Sequence, residues 1–89
     1  MLIDFISIQK NKFQILAKKI QAQPERFIDF DSVSDFYKAT WLNDFPTGTT
    51  WAVTGLDNGA DEFDILIEYR DLYLRIECTQ PIKIYTGMK

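Results

Sequence analysis

Between Phe63 and Cys78 the chain alternates strictly between apolar and mostly polar residues on either side of one break. Phe63, Ile65, Ile67 and Tyr69 are interleaved with Asp64, Leu66 and Glu68, and Leu72, Leu74, Ile76 and Cys78 with Tyr73, Arg75 and Glu77. Successive side chains of a strand point to opposite faces, so this pattern marks strands covered on one side only. With Arg70-Asp71 as a two-residue turn, Tyr69 pairs with Leu72, Ile67 with Leu74, Ile65 with Ile76 and Phe63 with Cys78. All eight residues then share one face, and a slip of one residue would move a whole strand to the other. Arg-Asp lacks the glycine usual at such a turn, so a slightly longer loop with shifted pairing is the competing reading.

A hairpin with one apolar face needs something to lie on it. Phe13, Leu16, Ala17 and Ile20 fall at helical spacing with Lys10, Lys12, Lys18 and Lys19 mostly off the stripe, which predicts a first helix. Asp4 or Ser7 caps its start, and Pro24 stops it near Ala22 or Gln23. The alternation of Phe13 and Ile15 leaves a rival reading, a hairpin of residues 2–8 and 13–17 around Lys10-Asn11-Lys12; the helical stripe is preferred. Arg26–Phe30 reads as a short strand. Asp31-Ser32 then reads as an N-cap, with Asp35 in the capping-box position. Behind it Val33, Phe36, Tyr37, Thr40 and Trp41 predict a second helix over about 33–43, broken at Asn43-Asp44-Phe45-Pro46, with Thr47-Gly48 as the loop.

A further strand over about 49–56 precedes the hairpin. A three-residue loop, Asp57-Asn58-Gly59, sets Trp51 opposite Ile65 and Val53 opposite Phe63, with Gly59 at the left-handed position. A two-residue Asn58-Gly59 turn would set them against Leu66 and Asp64 on the polar face. Residues 82–85, entered through Gln80-Pro81, read as a short edge strand or a tail along the sheet. The expected fold is a single compact α+β domain over residues 1–89. It is a mostly antiparallel sheet of four to five strands with two helices packed on one face, in the order α-β-α-β-β-β. At 89 residues, 46% of them hydrophobic and thirteen aromatic, the chain is sized for one dense core.

Much chemistry is excluded by the residue list. With no histidine there is no His-based acid/base, no Ser-His-Asp or Cys-His arrangement and no His metal ligand. Cys78 is the one cysteine and falls on the inward face, where a thiol behaves as a small hydrophobe. Gly48, Gly55, Gly59 and Gly87 are too scattered for a phosphate loop. Asp57-Asn58-Gly59-Ala60-Asp61-Glu62 has the flavour of a calcium loop, but its spacing fails the EF-hand pattern and ordinary turn chemistry accounts for it. Asp64, Glu68 and Glu77 share the outward face, where solvation rather than a catalytic cleft is expected. Trp41 and Trp51 read as core anchors. No cofactor and no metal is expected, nor an enzyme.

No stretch reaches the length of a membrane span, the first residues lack the basic region of a signal peptide, and a lone cysteine suits a reducing compartment. The expected location is the cytoplasm, away from membranes. Residues 1–24 carry four lysines against Asp4, a net +3; residues 29–71 carry ten acids against Lys38 and Arg70, a net −8. Such a field attracts cationic partners and repels nucleic acid.

No motif fixes a family. In general character, small, acidic, aromatic and poor in catalytic groups, the chain is similar to toxin-immunity proteins and phage anti-defence proteins. That resemblance implies a stoichiometric inhibitor that occludes the basic, nucleic-acid-binding surface of a nuclease, toxin or defence effector, without touching nucleic acid itself. The residues expected to meet the partner are Asp57, Asp61, Glu62, Asp64, Leu66, Glu68, Asp71, Tyr73 and Glu77, the carboxylates opposing Lys and Arg and the apolar groups anchoring. The alternative is a self-associating module, a homodimer through the outward sheet face or an edge strand.

Overall fold

The structure is a computed structural model that describes residues 4–28, 33–54, 63–79 and 81–89. Its centre is the hairpin of β2 (Phe63–Tyr69) and β3 (Leu72–Cys78), and all four expected pairs are present, from Tyr69 opposite Leu72 to Phe63 opposite Cys78. The two-residue turn stands without glycine because Arg70 itself takes a positive φ of 54°. That conformation costs an L-residue about 1–2 kcal/mol. The Arg70 guanidinium lies 5.8 Å from the centre of the Tyr69 ring, a cation–π contact that offsets part of the cost.

β1 (Thr50–Thr54) and β4 (Lys83–Met88) complete an antiparallel sheet in the order β1-β2-β3-β4. The edge strand expected over 82–85 is thus longer, and it pairs with β3 from Lys83 opposite Glu77 to Met88 opposite Leu72. On the other side, Trp51 faces Ile67 and Val53 faces Ile65, two residues away from the expected register. A slip of two keeps every side chain on its face, so the hydrophobic pattern accepts either register and only the connection chooses between them. Eight residues, 55–62, separate β1 from β2; the expected Asp57-Asn58-Gly59 loop lies outside the described residues.

α1 (Phe5–Ala22) rules out the rival N-terminal hairpin. Asp4 caps it, its Oδ1 accepting from the backbone N–H of Ile6 at 3.0 Å and of Ser7 at 3.3 Å. The Ser7 hydroxyl donates to Asp4 Oδ2 at 2.8 Å, and this bond with the backbone donors holds the carboxyl below its ordinary range. Phe13, Ala17 and Ile20 are buried, with α1 packed over β3 and β4. Two polar ties fix its course: Lys10 Nζ to Asp71 Oδ1 at 2.9 Å, and the Gln21 side-chain amide donating to the Ile84 carbonyl at 3.1 Å.

Two expectations for the middle of the chain are corrected. Arg26 and Phe27 belong not to a strand but to α2 (Pro24–Phe27), a single helical turn closed by the Ile28 N–H donating to the Pro24 carbonyl at 2.8 Å. Pro24 ends α1 and, with its φ already helical and no N–H to satisfy, also opens the next turn. Phe27 then meets Trp41 edge-on at 6.3 Å between ring centres. Asp29 and Phe30, the rest of that expected strand, lie outside the described residues, as does the Asp31-Ser32 cap.

The helix expected over 33–43 is two pieces, α3 (Val33–Tyr37) and a 3-10 helix (Thr40–Asp44), joined through Ala39 in an extended conformation. A continuous helix would put Tyr37 and Thr40 on the same stripe as Trp41. With the break, Tyr37 and Thr40 face solvent while Trp41, Leu42 and Phe45 are buried. Trp41 is the anchor: its indole N–H donates to the Phe27 carbonyl at 3.0 Å, and its ring lies 6.1–6.3 Å from those of Phe27, Phe36 and Phe45.

The core lies between these helical segments and one sheet face, where Ile65, Ile67, Leu74 and Ile76 have no exposed surface. Trp51, expected as a core anchor, is 38% exposed. It points to the helix side, but β1 is at the sheet edge away from β3 and β4, over which α1 lies. Val53, its neighbour on the same face, is half-buried against the core.

Candidate partner-binding face

The other face of the sheet has no helix on it among the described residues. The registers bring together Thr50, Ala52 and Thr54 from β1, Asp64, Leu66 and Glu68 from β2, Tyr73, Arg75 and Glu77 from β3, and Lys83, Tyr85 and Gly87 from β4. Leu66 stands between Ala52 and Arg75, and Arg75 between Leu66 and Tyr85. Tyr73 lies over Gly87, where an added β-carbon would sit 3.6 Å from its ring. An open hollow of about 640 Å³ runs across the centre, lined by Ala52, Leu66, Tyr73 and Tyr85 with Asp64, Arg75 and Glu77 around them. Its lining is more apolar than polar and it is open to solvent, the arrangement of a docking surface rather than of an enclosed catalytic cleft.

Five of the nine expected contact residues meet here: Asp64, Leu66, Glu68, Tyr73 and Glu77. The acids are not left as a bare negative field. Arg75 Nη2 lies 3.3 Å from Asp64 Oδ2, Lys89 pairs with Glu68, and Lys83 stands opposite Glu77. Each carboxylate therefore has a cation beside it, supplied by β3, β4 and the residue after β4. Exposed pairs of this kind are worth about 0–1 kcal/mol, so they exchange readily for a partner's charges.

Asp71 is placed elsewhere. At the β2–β3 turn its carboxylate binds Lys10 of α1, and its carbonyl accepts from the Lys89 N–H at 2.8 Å. The hydrogen bond from Lys10, then a backbone N–H, holds its carboxyl below the ordinary range. Asp71 is a clasp between helix, turn and last strand. Asp57, Asp61 and Glu62 lie outside the described residues. Arg75 and Tyr85 were missed as contact residues; the outward half of the β3 alternation already marked Arg75, and Tyr85 needed only the pairing of the last strand.

Cys78 is half-buried at the inward edge, and burial, helped by the Asp64 charge, pushes its thiol up to about 11. A thiol so protonated is a poor nucleophile at neutral pH. Among the described residues no three Cys, Asp or Glu side chains gather as metal ligands, and no helix is long and apolar enough to cross a membrane. On the far side of the molecule α1 turns Lys12, Lys18 and Lys19 to solvent, beside exposed Phe5 and Ile15.

No protein-family profile, no curated protein and no solved structure matches this chain.

Proposed function

We propose that this chain is a non-enzymatic protein-binding domain, a stoichiometric inhibitor of the toxin-immunity or anti-defence kind. It lays its open sheet face over a basic, nucleic-acid-binding surface of a partner protein. The observation that carries this reading is the open hollow of that face, lined by Leu66, Tyr73 and Tyr85 together with Asp64 and Glu77, with Glu68 opposite Tyr73 on the same face. Aromatic and aliphatic groups in the middle supply binding free energy as water leaves them. The surrounding carboxylates trade Arg75, Lys83 and Lys89 for the partner's Lys and Arg. The net −8 of residues 29–71 draws a cationic partner towards the chain and disfavours nucleic acid. Inhibition follows from occlusion alone and requires neither cofactor nor metal.

The test is retention of proteins from the native host on the immobilised chain, followed by a nucleic-acid-binding assay of what is retained. A basic protein should be held, and one equivalent of the domain should abolish its binding to nucleic acid. Asp64→Lys with Glu68→Lys should slow association about tenfold or more and flatten its salt dependence. Leu66→Ala with Tyr73→Ala should instead speed dissociation. Retention indifferent to all four changes, or a retained protein whose nucleic-acid binding survives saturation, overturns the proposal.

A further inference from the structure

The two edges of the sheet differ in how they are guarded. An edge strand offers a row of backbone donors and acceptors to any strand that comes alongside, and proteins protect such edges with charge, proline or a covering element. β4 is protected: it begins with Lys83, is followed by Lys89, and has α1 packed on it with Gln21 bonded to the Ile84 carbonyl. β1 has none of these among the described residues. Its five residues, Thr50-Trp51-Ala52-Val53-Thr54, contain no charge and no proline, four of the five are exposed, and no described strand pairs with its outer edge.

We propose that the outer edge of β1 pairs antiparallel with β1 of a second copy, about a two-fold axis at Ala52. The pentapeptide is complementary to itself in that register. Thr50 meets Thr54 of the second copy, Trp51 meets Val53, and Ala52 meets Ala52. The Trp51–Val53 pairs fall on the helix side and cover the indole that the monomer leaves open, while small residues meet on the other side. No like charges are brought together, because the strand has none; this lack of charge on an open edge favours a second copy over a basic or acidic partner strand. The four-stranded sheet becomes one of eight strands, and the two open faces lie side by side. This association does not depend on the reading of the open face as an inhibitor surface.

The contact is short, so it is a reversible dimer and not an obligate one. Sedimentation equilibrium over roughly 5 to 500 μM should show the mass rising from one chain towards two. Ala52 is exposed, so Ala52→Lys and Ala52→Glu each leave the fold in place, checked by circular dichroism, while setting like charges opposite one another at the axis. Each variant alone should associate about two- to fivefold more weakly than wild type. A one-to-one mixture of the two should dimerise again, since opposite charges then face across the axis. Ala22→Lys, on exposed α1, should change nothing. A wild-type chain that stays monomeric throughout, a dimer unmoved by both Ala52 variants, or a mixture no better than either variant alone overturns the proposal.

Discussion

The two faces of the sheet are built from the same strands and the same backbone ladder, yet their side chains live in different surroundings. Ile65, Ile67, Leu74 and Ile76 are wholly buried, whereas their sequence neighbours Leu66, Glu68, Tyr73 and Arg75 are half-buried or exposed. Hydrogen bonding and strand propensity are shared between neighbours, so burial is what separates them. The covered face holds the helices on and carries most of the apolar burial. The open face meets only cross-strand neighbours, and its residues are free to be chosen for contact with something else.

That division can be broken by substitution, and the largest effect belongs to the covered face. Leu74→Ala should cost about 2–5 kcal/mol in urea unfolding, the transfer term plus the cavity it leaves. Next comes Trp41→Phe, which takes away the indole donor and strands the Phe27 carbonyl near the core; a loss of about 1–3 kcal/mol is expected by the same measurement. Leu66→Ala, one residue from the core strand positions but on the other side, should cost no more than about 1 kcal/mol. If it costs as much as Leu74→Ala, the two faces are not divided as described.

The smallest effect is at the clasp and is visible as a change with pH. Lys10 holds the Asp71 carboxyl below its ordinary value of 3.8, so its contribution is present above that value and is lost as the pH falls through the lower folded one. Asp71→Asn should therefore lose a little stability at neutral pH and lose less than wild type on acidification. Urea midpoints of the two chains should converge in acid; midpoints that stay apart would remove the clasp from the account of stability.

Legibility along the chain followed the range of the forces involved. In the β2–β3 hairpin, pairing, face and burial all depend on one local alternation and a two-residue turn, and each pair could be read directly. For β1 the same alternation told the face but not the register, because a slip of two leaves every residue on its side. Arg26–Phe30 looked extended as an isolated pentapeptide, while Pro24 had already started a helical turn and Phe27 was needed against Trp41. The break at Ala39 has the same origin, since the partner of the Trp41 indole lies fourteen residues upstream. On the candidate site, alternation told which side chains share the open face. Arg75 beside Asp64 belongs to that hairpin, but the cations beside Glu77 and Glu68 follow from the β3–β4 register and from Lys89, and Trp51 is open because α1 lies over the far strands. Both are matters of assembly.

The chain's two tryptophans sit at opposite extremes, Trp41 at 8% exposure in the aromatic cluster and Trp51 at 38% on the sheet edge. Fluorescence from one protein thus carries two signals. A dissolved quencher such as iodide dims the edge indole and spares the interior one, so integrity of the core and events at the margin of the sheet are separately visible without any label.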